Sequence, residues 1–115
     1  MLFSAALGAW LGASLVLSPL PAGAENSGRV IFETKCIACH EGGGNAINPT
    51  RPLSLERLKA DGYLELAPTV ELLRYGKGQM PKYQGAIPKI SRLTDEELEL
   101  VAKYAMQQAE AGWPK

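Results

Sequence analysis

The first 24 residues contain no Asp, Glu, Lys or Arg, so all 12 acidic and 12 basic residues of this 115-residue chain lie from Glu25 onward. With no net charge and no basic tract, the chain offers no electrostatic footprint for nucleic acid. Histidine occurs once and cysteine twice, all within Cys36–His40. A structural zinc site needs four ligands, and no second cysteine or histidine cluster is there to complete one. No segment alternates apolar and polar residues as a half-buried strand does, and neither an internal repeat nor a low-complexity tract is present. The length fits a single domain.

What is there divides into two unlike parts. Residues 1–24 are apolar and rich in small residues, bend at Ser18, Pro19 and Pro21, and end in Ala22-Gly23-Ala24, the small-x-small pattern of a signal peptidase site. We read them as a cleaved export or organelle-transfer signal and residues 25–115 as the mature domain. The alternative is a retained anchor, because Leu2–Leu17 approaches spanning length. The prolines and small residues interrupt that run where a processing site belongs, so no stable membrane insertion is expected after processing. An ordinary export signal begins with positive charge and this one has none, which suits the later part of a two-stage organelle import signal.

The mature part reads as all-α, with about four helices. Thr94-Asp95-Glu96-Glu97 is a capping box, followed by Leu98, Val101, Ala102, Ala105 and Ala109 at helical spacing, so a helix is predicted over 95–110, ending near Gly112. An earlier helix is expected from about Ser27 to Lys35. There Gly28 and Phe32 share a face, and the missing side chain lets another helix approach closely. A short third helix follows Ser54 over 55–59, and a fourth follows Pro68 and stops at Gly76. The glycine- and proline-rich loops 42–52 and 76–88 are long for so short a chain and need something to wrap around. So small a domain also makes a poor core unless something bulky is buried with it.

Cys36-Ile37-Ala38-Cys39-His40 names that object, because C-x-x-C-H is the attachment pattern for a c-type haem. Thiols one helical turn apart reach the two vinyl groups of one haem, and the next residue brings an imidazole to the iron. Rival readings are a zinc site, which lacks ligands, and a thioredoxin-like dithiol, which belongs after a strand. A third is a plain disulfide, strained at this spacing and needing no histidine. A haem iron that carries electrons takes a second axial ligand, for which methionine is expected. Met80 lies between Gly76-Lys77-Gly78-Gln79 and Pro81, where glycines permit close approach, whereas Met106 sits within the last helix, where packing is the simpler role. The candidate site is therefore Cys36 and Cys39 for covalent attachment of one haem c, with His40 and Met80 as axial ligands. No open coordination position then remains, which points to an electron carrier and not an enzyme. The competing reading is a haem sensor or redox enzyme in which Met80 is labile.

Taken together, these residues resemble the class I cytochromes c and, more narrowly, the cytochrome c6 family. The likeness rests on Gly28-x-x-x-Phe32, Cys36-x-x-Cys39-His40, Gly42-Gly43-x-Asn45, Gly76-Lys77-Gly78-x-Met80-Pro81, Arg92-Leu93 and Gln108-Ala109-x-x-Gly112-Trp113. It implies the small class I cytochrome c fold wrapped around its haem, with Gly28 and Phe32 packed on the final helix near Tyr104. It also implies photosynthetic electron transport in a thylakoid lumen, between a cytochrome bf complex and photosystem I; the alternative setting is a bacterial periplasm, with respiratory partners. Two features depart from photosynthetic c6: an extra stretch that includes Ala86–Ile90, and Leu72 where a glutamine is usual. Both resemble the c6A-related, low-potential members of the family. Finally, residues 72–94 hold Arg74, Lys77, Lys82, Lys89 and Arg92 and no acid, with Met80 in their midst. That run reads either as a docking patch for transient redox partners or as ordinary solvated cations.

Overall fold

The computed structural model describes residues 22–115. Five α-helices follow in the order α1 (Ala22–Lys35), α2 (Ile37–His40), α3 (Leu55–Asp61), α4 (Leu66–Tyr75) and α5 (Asp95–Ala111), with 3₁₀ turns at Glu41–Gly43 and Lys89–Ser91. Among the described residues no strand forms, and Lys77 and Met80 make an isolated bridge. The all-α expectation holds, and the helix beyond the four expected is α2, which lies within the C-x-x-C-H segment with Cys36 at its N-cap. The expected signal, 1–24, lies outside the described residues except for Ala22–Ala24, which begin α1.

Helix α5 is the element that local chemistry fixes most fully. The Thr94 side chain accepts from the Glu97 amide at 3.0 Å, and the Glu97 carboxylate accepts from the Thr94 amide at 2.8 Å. Each satisfies a donor that the first turn would otherwise leave unpaired. At the other end Gly112 takes φ 81° and its amide closes on Ala109. Between them α5 buries Leu98, Val101, Ala102 and Ala109, four of the five positions expected from the spacing; Ala105 is half-buried.

That apolar face receives α1 at a point of very close approach. A Cβ added at Gly28 would lie 2.5 Å from the Leu100 carbonyl oxygen and 2.9 Å from the Tyr104 Cβ, so only glycine fits. One turn later the buried Phe32 ring sits 5.5 Å from Tyr104 and 5.2 Å from Trp113, as the Gly28-x-x-x-Phe32 reading implies. From α4, Val70 and Leu73 join Phe32, Tyr83, Leu93, Leu98, Val101 and Ala102 in one cluster.

Three boundaries differ from expectation. Helix α1 starts at Ala22 and not near Ser27, because nothing in 22–26 stops a helix and the Ser27 hydroxyl bonds back to the Gly23 carbonyl at 3.0 Å. Helix α3 is capped by Ser54 as expected but runs on to Asp61, where Arg57 bonds the carboxylate at 2.6 Å before Gly62 turns left-handed. Helix α4 begins two residues before Pro68. The proline then stands third in the helix, where its missing N–H is one that the first turn leaves unpaired anyway.

Gly28→Ala separates propensity from packing. Alanine should gain about 1 kcal/mol in a free helix, yet we expect a net loss of about 1–3 kcal/mol from the overpacked crossing. Chemical denaturation of the holoprotein measures it, and a stabilised variant would show that the helices do not meet there.

Candidate functional site

The Cys36 amide donates to Phe32 at 2.9 Å, so α1 passes directly into the motif. The Cys39 and His40 amides both return to the Cys36 carbonyl, at 3.2 and 2.9 Å. This single turn sets the two sulfurs at i and i+3, which is one side of a helix. Cys36 is half-buried against the apolar cluster and Cys39 is exposed. Burial pushes the Cys36 thiol up to about 11, with the Tyr83 hydroxyl and the Lys35 charge pulling partly the other way. The sulfurs are not joined to each other, and among the described residues no cluster of His, Cys, Asp and Glu could hold a metal ion.

His40 is oriented by the backbone that follows it. Gly42 and Gly43 take φ 62° and 81° and reverse the chain, so that the Gly44 carbonyl lies 2.8 Å from His40 Nδ1. A carbonyl only accepts, so Nδ1 carries a proton; in the neutral ring that leaves the lone pair on Nε2, which is the tautomer a metal-binding imidazole requires. Gly43 is also the residue against which the Trp113 indole lies; a Cβ there would run into the ring. Trp113 Nε1 donates to the Leu53 carbonyl at 2.7 Å, and the Leu53 amide to Gly43 at 2.6 Å, closing the 42–53 loop.

Met80 is presented by a four-residue turn. Lys77 and Met80 exchange backbone hydrogen bonds of 3.1 and 2.9 Å across Gly78 at φ 59°. At Gly76, φ is 72° and a Cβ would come within 2.7 Å of the Met80 carbonyl, so this glycine both ends α4 and makes room for the turn. Met80 is half-buried against the same cluster as Cys36. Met106, the other candidate, is half-buried within α5.

Tyr83 joins the two halves of the site and was not singled out from the sequence. Only 7 % exposed, it donates from its hydroxyl to the Lys35 carbonyl at 3.0 Å, one residue before Cys36. Its amide bonds Leu73 in α4 at 3.0 Å, and its carbonyl accepts from Leu93 at 2.9 Å. The Met80 loop is thus tied at one residue to α1, to α4 and to the strap leading into α5. Its partner lies 48 residues away in the chain, which no local pattern reveals.

Of the five cations around Met80, Arg74 is committed internally. It pairs with Glu71 at 2.7 Å and Asp95 at 3.1 Å and donates to the Gln84 side chain at 3.0 Å. Lys77, Lys82, Lys89 and Arg92 are exposed, and among the described residues no carboxylate lies within ion-pair distance of them. Four of the five therefore remain for a surface patch.

The donor set fits a c-type haem: two sulfurs on one helical turn, an imidazole with its distal nitrogen free, and a thioether on a glycine-shaped turn packed on the same apolar cluster. A helical bundle carrying this motif at the end of its first helix is a class I cytochrome c. Comparison with known proteins narrows the class. Residues 23–104 match the family described as cytochrome c oxidase, cbb3-type, subunit III. Cytochrome c6 of Synechocystis is 42% identical over 86 residues, 75% of this chain and 67% of that one. Cytochrome c6 of Rippkaea orientalis is 39% identical over 101 residues, 88% and 86% of the two chains. The crystal structure of oxidized cytochrome c6A from Arabidopsis thaliana superimposes with a TM-score of 0.72 at 32% identity, covering 83% of this chain and 99% of that one. The chain belongs to the cytochrome c6 family, whose members carry one covalently attached haem c and transfer electrons.

Two measurements follow from this geometry. Tyr83→Phe keeps the ring and removes the Lys35 bond, for an expected loss of about 1 kcal/mol; equal denaturation midpoints would show that the bond contributes nothing. The second concerns Asp95, whose carboxyl is held below the usual range by the Gln84 amide and the Arg74 guanidinium. A depressed acid stabilises above its ordinary pKa of about 4 and loses that contribution as pH falls through the lowered value. Asp95→Asn should therefore be less stable than the parent at neutral pH and converge with it in strong acid. A difference independent of pH would remove the ion pair as its cause.

Proposed function

We propose that this chain is a soluble single-electron carrier, not an enzyme, that holds haem c through thioether bonds at Cys36 and Cys39, with His40 and Met80 as axial ligands. One observation carries the reading: the Gly44 carbonyl fixes the proton of His40 on Nδ1 and leaves Nε2 as a ligand, within the same turn that offers the two sulfurs. When bound, haem c supplies an iron that takes up and releases one electron. The protein's part is to hold both ligands still and keep water away. The Met80 thioether is soft and neutral and favours the reduced form, as does burial beside the apolar cluster.

The setting that best fits is photosynthetic electron transport in a thylakoid lumen after removal of residues 1–24. The partners are transient redox proteins, with a cytochrome bf complex and photosystem I as candidates, approached through the basic loop around Met80. A bacterial periplasm, with respiratory partners, is the alternative compartment. No described helix is long and apolar enough to cross a membrane. Leu72 on α4 and the added stretch Ala86–Ile90 favour a low-potential branch of the family over the photosystem donor. The midpoint potential separates these two roles.

Met80→Ala tests the ligand assignment. The haem should stay attached by the pyridine haemochrome assay. The far-red band of ferric methionine ligation should vanish, and the potential should fall by on the order of 0.1 V, within the roughly 0.8 V that axial ligation spans. The reduced parent should ignore carbon monoxide while the variant binds it. An unchanged potential, or a parent that binds the gas readily, would replace this reading with a sensor in which Met80 is labile.

A further inference from the structure

The stretch that sets this chain apart, Ala86–Ile90, is built as a fixed projection. Its base is closed by the Leu93 amide on the Tyr83 carbonyl at 2.9 Å, and by Gln84, whose side-chain amide donates to the Leu93 carbonyl at 3.1 Å and to Asp95 at 2.8 Å. Its tip is the 3₁₀ turn Lys89–Ser91, closed by Ser91 on Pro88 at 3.0 Å and Arg92 on Lys89 at 3.1 Å. Lys35, next to Cys36, reaches across and donates to the Ile90 carbonyl at 3.2 Å.

What this scaffold presents is Ile90, 86 % exposed and the most exposed large apolar side chain among the described residues. Ala86 and Pro88 are exposed beside it in the chain. A lone exposed isoleucine is ordinary. One held at the summit of a hydrogen-bonded turn is different, since its presentation costs a partner no further ordering. The charges nearby share one sign: Lys35 at the Ile90 carbonyl, Lys89 and Arg92 on either side of the tip. The one acid at the base, Asp95, is occupied by Arg74 and Gln84.

We infer that the 86–92 projection is a docking element with an apolar tip and a cationic collar, and that it fits a protein partner bearing an apolar notch ringed by carboxylates. The cations steer the encounter and Ile90 fills the notch. Because Lys35 ties the projection to the residue before Cys36, a partner seated there lies against the haem-attachment turn. This rests on the electron-carrier reading but can fail separately from it.

The test uses the isotope-labelled holoprotein and an acidic plant-type blue-copper protein, cadmium-substituted to be redox-inert. Amide shifts should move at 35–40 and 82–92. Ile90→Ser should weaken binding at least fivefold with little change in its salt dependence, and Lys89→Gln should weaken it while flattening that dependence. Electron exchange with ferricyanide should be the same in parent and Ile90→Ser, which carries no charge change; if the parent itself fails to exchange, the carrier reading falls and not merely the docking element. Equal affinity of Ile90→Ser and parent, shifts confined to other surfaces, or binding to vesicles of phosphatidylglycerol but not to the acidic protein would overturn the assignment.

Discussion

The crossing of α1 and α5 at Gly28 is where the backbone of one helix rests almost directly on the other. Much of the architecture follows from that contact. It fixes how deep α1 sits, hence where Phe32 enters the cluster between Tyr104 and Trp113. Since α1 hands its hydrogen bonding straight to Cys36, the direction of the C-x-x-C-H turn is inherited from the crossing. The candidate attachment residues, Cys36 and Cys39, are thereby placed by a missing side chain eight residues upstream of the first of them.

The opposite wall is organised differently, by loops whose polar groups are used to the full. Gly76 and Gly78 shape the turn at Met80, and Tyr83 fastens that turn to the residue before Cys36. The 42–53 loop is held from the far end of the chain by the Trp113 indole. No buried side-chain nitrogen or oxygen lacks a partner among the described residues. In a domain this small, such ties supplement a core too modest to hold long loops by apolar contact alone.

Features that depend on near neighbours in the chain were legible in the sequence. The capping box at Thr94, the stops at Gly76 and Gly112, the cap at Ser54 and the shared face of Gly28 and Phe32 each need only a few residues, and each is found. The motif Cys36–His40 could be read for the same reason. Long-range bonds were not legible. Nothing local marks Tyr83 as the partner of Lys35, or the Gly44 carbonyl as the group that sets the His40 tautomer. Arg74 looked like one more surface cation until folding brought Asp95 to it across 21 residues. The start of α1 escaped because Asn26 is a residue that commonly caps a helix, whereas in the folded chain it lies inside α1 and its side chain accepts from Arg29.

The hydrogen bond from His40 to Gly44 bears on how fast such a molecule can work. An imidazole pinned at one nitrogen by main chain resists rotation about its own axis, and the main chain that pins it is anchored on both flanks, by Gly44 on Glu41 and by Ala46 on Cys39. Its other nitrogen therefore points the same way whether the neighbouring charge rises or falls by one. With His40 as the ligand we propose, little nuclear rearrangement has to accompany each redox event, and a site that need not relax between arrivals is ready for the next electron at once.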